Sequence, residues 1–263
     1  MGGLLWALSG LGFIFFMTCA GAGTVLVFKK ESGEKAQKIF LGFAAGVMIA
    51  ASVWSLLIPA IEEAEAAGMA GWIPAAAGFV LGGLFLLGLD KIIPHFHPKT
   101  GVQEGPVTHA KRTTLLVSAV TLHNIPEGMA VGLAFALAAN RTGETGLYAS
   151  AVALALGIGI QNFPEGAAVS LPLRQEGLSR GKSLLWGCAS GAVEPVAGII
   201  TFLLAGLIAP IMPWLLAFAA GAMIYVVVEE LIPEAHLGEH SNVGTLGVMG
   251  GFLIMMVLDV ALG

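Results

Sequence analysis

From about Leu4 to Phe28 the chain presents an apolar run, and seven more follow at about 39–61, 72–92, 113–138, 147–172, 183–208, 212–234 and 243–262. The hydrocarbon core of a bilayer takes roughly 20 helical residues to cross. Lipid offers no partner to an unpaired backbone group, so runs of this length must close their hydrogen bonds internally, as helices do. Only 11% of the 263 residues are charged, against about 25% in a soluble domain, so the chain cannot coat a water-facing surface. The expected fold is an all-α integral membrane protein of eight transmembrane helices, one domain over residues 1–263, with no soluble unit left over. The first run is too long for the apolar core of a cleaved signal and reads as a span.

The charges orient it. Eleven of the twelve basic residues fall after spans 1, 3 and 5: Lys29, Lys30, Lys35 and Lys38, then Lys91, Lys99, Lys111 and Arg112, then Arg174, Arg180 and Lys182. The other side holds only Arg141. Lys and Arg are retained on the cytoplasmic side, so both termini are expected outside the cytoplasm and the protein in the cell's inner (plasma) membrane. The longest connection, 93–112, then becomes a cytoplasmic loop carrying His95, His97 and His109. Cys19 and Cys188 both lie in apolar runs, where a small buried hydrophobe is a better reading than a disulfide framework or a cysteine zinc site.

The spans repeat. Span 2 reads FAAGVMIAASVWSLLIPAIEEA from Phe43, and span 7 reads FAAGAMIYVVVEELIPEAH from Phe218. Span 3 ends GFVLGGLFLLGLD at Asp90, and span 8 has GVMGGFLIMMVLD ending at Asp259. Span 4 contains LHNIPEGMAVGL and span 5 IQNFPEGAAVSL. Each pair runs in opposite directions through the membrane, which predicts an inverted repeat arranged as three, two and three helices. Inverted repeats of this kind are a transporter's architecture, with the substrate site near the midplane where the halves meet.

The polar residues of spans 4 and 5 fall at that depth. His123 and Glu127 are four apart and share a helix face, as do Gln161 and Glu165. Asn124 and Asn162 sit one position off. Pro126 and Pro164 each remove a helical hydrogen bond, and the Gly128 and Gly166 that follow allow a neighbour close approach. Glu194-Pro195 in span 6 repeats the pairing of carboxylate and proline. A charge at the centre of a bilayer costs roughly 2.5–3.5 kcal/mol on insertion scales, and no Lys or Arg lies within these spans. Either the glutamates are protonated, in a hydrogen-bonded polar core, or a cation neutralises them. Imidazole, carboxylates and amide oxygens form a ligand set for a borderline divalent ion, most naturally Zn²⁺. Met48 would add a thioether, against the alternative of ordinary core packing. Toward the cytoplasmic end, Asp90, His95, His97, Glu229, Glu230 and Glu234, with His109, His236 and His240, form either a metal exit or a solvated rim. Outside, Glu62, Glu63, Glu65 and Asp259 could attract cations at the mouth; a wet face is the better reading of the three loop acids, and Asp259, set in an apolar run, has the strongest claim to a role.

HNIPEG, QNFPEG and the Glu-Pro of span 6 resemble the signature of the ZIP (Zrt-, Irt-like) family of divalent metal transporters, in particular its bacterial GufA-like branch. The resemblance covers the whole chain and implies a binuclear centre. His123, Glu127, Gln161 and Glu165, with Met48, match its first metal position; Asn124, Glu127, Asn162, Glu165 and Glu194 match the second. It also implies an entrance near Glu62 and Asp259 and an exit through Asp90, His95, His97, Glu229 and Glu230. Many members have His where this chain has Gln161, and some have Asp in place of Asn162, so two neutral amides replace stronger ligands. That weakens the discrimination among Zn²⁺, Cd²⁺, Fe²⁺, Mn²⁺ and Co²⁺.

The leading expectation is zinc import into the cytoplasm, with divalent ions and the lipid bilayer as partners, no nucleic acid, no cofactor, and a homodimer left open. Two alternatives stand beside it. A proton-coupled transporter of an organic substrate would use the glutamates as proton carriers. An intramembrane metal-dependent hydrolase would need three strong zinc ligands and an open water position; His123 is the only histidine within a span, and neither HExxH nor GxSG occurs. The expectation is therefore that the chain is not an enzyme.

Overall fold

The computed structural model describes residues 2–27, 34–92, 95–96, 103–104, 112–141, 145–175, 177–236 and 242–262. Eight helices account for nearly all of them. α1 comprises Gly2–Ala22 and, beyond a turn at Gly23, Thr24–Val27. α2 runs as Glu34–Ala51, a π-helical stretch Ser52–Leu57, and Ile58–Ala66. α3 is Trp72–Ile92, α4 Arg112–Asn140 and α5 Thr145–Gln175. α6 comprises Arg180–Gly191 and Val193–Ile208. α7 runs as Met212–Val226, a second π-helical stretch Val227–Leu231, and Ile232–His236; α8 is Val243–Leu262. Within the long connection, β1 (His95–Phe96) pairs antiparallel with β2 (Gln103–Glu104), a two-residue ladder in an otherwise helical chain.

Seven of these helices are long and apolar enough to cross a membrane. α4 is not among them, although it is 29 residues long. Every membrane-length stretch of α4 includes His123, Asn124 and Glu127, so the residues of the candidate site themselves lower its apolarity. The protein is thus an all-α membrane protein, with the polarity of one helix concentrated at its middle.

Local chemistry explains the interruptions. Pro195 has no N–H for the carbonyl of Gly191, and α6 breaks at Ala192, whose own N–H bonds to Ala189 instead. Pro59 and Pro233 likewise sit just beyond the two π-helical stretches. There Ile58 N–H reaches back to Val53 O, and Ile232 N–H to Val227 O. These wider turns keep Val53 O and Val227 O paired within the helix just ahead of each proline, as an apolar surrounding requires. The loops on either side close on glycine: Gly68 (φ +76°) ends α2 and Gly177 (φ +100°) ends α5, each in a left-handed conformation that only glycine adopts without strain. Ser179 then caps α6 by accepting from the Lys182 N–H.

Four helix pairs make the most extensive contacts: α2 with α8, α3 with α7, α1 with α5, and α4 with α6. Small residues let their backbones touch. A Cβ on Gly46 would meet Val248 O and one on Gly251 would meet Phe43 O; between α3 and α7, one on Gly82 would meet Phe218 O and one on Gly221 would meet Phe79 O. The apolar core runs between the pairs, with Leu11, Ile14, Met48, Leu86, Leu133, Phe135, Leu154, Leu216 and Met223 almost fully buried.

Candidate metal centre

α4 and α5 meet near their middles, and α1 and α6 close around them. The glycine after each Pro-Glu governs that approach. A Cβ on Gly128 would collide with the backbone of Glu194 in α6. A Cβ on Gly166 would collide with Thr18 O in α1 and lie 2.8 Å from Ala22 N. The two glycines therefore press Glu194 and Thr18 into the junction.

Asn124, Gln161, Asn162 and Glu194 are completely buried there, and Glu127 is 1% exposed. Their hydrogen bonds fall into two sets. Gln161 Nε2 donates to Glu127 Oε1 at 2.6 Å, joining α5 to α4. Asn162 Nδ2 donates to Glu194 Oε2 at 2.7 Å, and Thr18 Oγ1 donates to Glu194 Oε1 at 3.2 Å, joining α5 and α1 to α6. Asn124 Nδ2 donates to the Ser190 carbonyl at 3.1 Å. Glu165, half-buried, lies near enough to interact electrostatically with both Glu127 and Glu194.

What these bonds leave over is a set of oxygens. Glu127 Oε2, Gln161 Oε1, Asn124 Oδ1 and Asn162 Oδ1 are buried with no hydrogen-bond partner. Each amide spends its N–H₂ on a carboxylate or carbonyl and keeps its carbonyl oxygen, the end that binds metal. An unsatisfied buried oxygen is unfavourable by about 1–3 kcal/mol, and all four belong to α4 and α5. A cation is the chemical group that satisfies several such oxygens at once. Among the described residues no three His, Cys, Asp or Glu side chains are grouped closely enough to hold an ion. The junction is built of carboxylate–amide pairs.

Of the other sequence candidates, the His123 side chain lies outside the described residues, as do those of Asp90 and His95 and all of His97. Met48 is 1% exposed in the apolar core, and its carbonyl accepts from Ser52. Glu229 (exposed) and Glu230 (half-buried) belong to the π-helical stretch of α7. On the other side of the bilayer, Glu62 and Asp259 line one cavity of about 410 Å³, with Trp54, Ser55, Leu137 and Ser150. Asp259 Oδ1 accepts from Ser55 Oγ at 2.6 Å, while Oδ2 is buried and unpartnered. Glu63 is taken up by Arg141, at 2.6 Å. Cys19 and Cys188 are free thiols.

Sequence reasoning missed Thr18 and Ser55. A lone hydroxyl in an apolar helix ordinarily bonds the carbonyl four residues back, as Thr18 also does to Ile14. Nothing in its neighbours marks it as a partner of Glu194.

Fold and site together define a polytopic membrane protein with a buried, oxygen-rich junction between two proline-containing helices. The family description "ZIP Zinc transporter" matches residues 100–259. The chain is 37% identical to human zinc transporter ZIP11, over 98% of this chain and 97% of that one. It is 41% identical to zinc transporter GufA of Myxococcus xanthus, over 94% of both chains. With zinc transporter ZupT of Salmonella newport it shares 32% identity over 90% of this chain and 91% of the relative. The chain belongs to the ZIP zinc transporter family.

Proposed function

We propose that the protein carries divalent metal ions, zinc foremost, across the plasma membrane into the cytoplasm. The ion is taken from the outer cavity beside Glu62 and Asp259. It then exchanges its waters for His123, Glu127, Gln161 and Glu165 at mid-membrane, with Met48 at the side and Asn124, Asn162 and Glu194 completing a second position. It leaves past Asp90, His95, His97, Glu229 and Glu230. The observation that carries this reading is the set of four unpartnered buried oxygens on α4 and α5, with no Lys or Arg between Arg112 and Arg141 or between Arg141 and Arg174. Buried oxygens without a counter-cation suit a passing divalent ion better than an organic substrate, which would need an apolar-lined pocket as well. The zinc transporters to which the chain is similar support the same cargo, and they are not enzymes, so the hydrolase alternative falls away.

The three-two-three inverted repeat and outward termini belong to the same proposal, and they favour alternating access over an open channel. The test is metal uptake into proteoliposomes. Glu127→Ala and Glu165→Ala are each expected to lower zinc uptake at least tenfold while the protein still folds and inserts. Uptake equal to wild type in both variants would remove the α4–α5 junction from the transport path.

A further inference from the structure

The cavity that holds Asp259 lies between helices that belong to different pairs. α2 lines it through Ser55 and Glu62, and α4 and α5 line it through Leu137 and Ser150. α2 packs chiefly on α8, whereas α4 packs chiefly on α6 and α5 on α1. A short ion pair joins the two walls: Arg141 Nη2 donates to Glu63 Oε1 at 2.6 Å. Glu63 follows Glu62 on α2. Arg141 stands at the end of α4, one turn beyond Leu137, to whose carbonyl its own N–H is bonded. Each partner is thus a near neighbour of a residue that lines the cavity.

An arginine is out of keeping with a mouth for cations. Its charge repels the cargo, and it is the one Lys or Arg between Arg112 and Arg174. Arg174, near the far end of α5, shows the ordinary use of such a residue, donating to Leu178 O within its own turn. Arg141 instead reaches across to another helix. Both partners keep part of their surface in water, 36% and 19%, and ion pairs of that exposure are weak enough to break and re-form. A contact that is short, weak and strung between two separately packed walls suits a moving part.

We propose that Arg141 and Glu63 are positioning residues for cargo entry. Their ion pair latches α2 to α4 beside the Asp259 cavity, opens as the mouth widens to admit a hydrated ion, and closes behind it. Neither residue binds the ion. The proposal rests on the reading that the cargo enters by this cavity. A latch differs from a purely electrostatic role in the sign of its effects. Acting through the field alone, loss of Arg141 would strengthen cation capture and loss of Glu63 would weaken it. Acting as a latch, either loss breaks the same contact and gives the same result.

The experiment measures mouth opening and zinc uptake together, with the full-length protein in proteoliposomes. Opening is read from the rate at which an uncharged maleimide labels the Ser150→Cys variant. The parent protein, with Cys19 and Cys188 alone, gives the background. Arg141→Gln and Glu63→Gln are each expected to raise the labelling rate roughly two- to fivefold, the shift a part-exposed ion pair supplies. Each is also expected to lower the kcat of uptake. The reversed pair, Glu63→Arg with Arg141→Glu, is expected to return both readings toward wild type. Unchanged labelling in the two single variants would overturn the proposal. So would opposite shifts in KM with kcat untouched, or a reversed pair no better than the singles. Labelling of Ser150→Cys that Zn²⁺ does not slow, with the latch intact, would overturn the entry route beneath the proposal instead.

Discussion

A buried carboxylate and a buried amide are each unfavourable alone, and their pairing at Glu127 and Gln161 settles half of that debt. The remaining half, Glu127 Oε2 and Gln161 Oε1, is what gives the residues a use. Gln161 has two tasks, orienting the carboxylate through Nε2 and offering Oε1. Gln161→Leu fills the same space and does neither. Zinc affinity is expected to fall roughly 10–100-fold, the range seen when a group orienting a metal ligand is lost. The ion-free protein should also be destabilised by about 1–3 kcal/mol, because Glu127 loses its donor. Calorimetric titration and thermal melts in detergent measure the two effects, and wild-type affinity would exclude Gln161 from the site. At this scale the sequence was legible wherever spacing carried the information. The inverted copies of one motif put Gln161 opposite Glu127, and the two side chains meet there. The hydroxyls were not legible, since whether Thr18 or Ser55 turns toward a carboxylate is decided by which helix packs opposite.

Helices were legible in a different way. The apolar runs at 72–92 and 243–262 coincide with α3 and α8, because the same lipid that demands apolar side chains demands closed backbone hydrogen bonds. The break in α6 followed from Pro195. The π-helical stretches did not follow from Pro59 and Pro233, for Pro126 lies inside a continuous α-helix. A proline frees a carbonyl; the packing around it decides whether the turn widens, bends or breaks. Glycines make the decisive contacts between elements, and Gly166 is the sharpest case. Gly166→Ala sets a methyl group against Thr18 O and Ala22 N, and backbone atoms cannot step aside as a side chain can. Forced repacking of this kind is unfavourable by roughly 1–3 kcal/mol, and here it also pulls Thr18 away from Glu194. A lower melting temperature and impaired ion binding are expected together. Gly12→Ala, on α1 with nothing within 4 Å of its Cβ, should match wild type in both.

The four helix pairs support the proposed three-two-three relation as a whole. Exchanging helices 1 with 6, 2 with 7, 3 with 8 and 4 with 5 turns the α2–α8 contact into α7–α3, and α1–α5 into α6–α4. Even the glycine contacts exchange, with Gly251 on Phe43 O answering Gly82 on Phe218 O. By the same exchange Asp259 at the end of α8 corresponds to Asp90 toward the end of α3, so the two mouths are built from equivalent parts with different chemistry. At one end of the helices α7 carries Glu229 and Glu230; at the other the Ser55–Asp259 pair lines the cavity. An unpartnered buried carboxylate oxygen in a cavity with low-dielectric walls focuses the field on an arriving cation, and such fields raise capture rates by about 10–10³. On the proposed import route, Asp259 is expected to act in capture and not in the later steps. Asp259→Asn keeps the shape and an oxygen for Ser55 while removing the charge. In zinc uptake the variant should show a KM several-fold higher with kcat within about twofold of wild type, and its uptake should respond less to added salt, since screening has less left to weaken. Equal KM and equal salt response in the two proteins would mean that the ion reaches α4 and α5 by another mouth.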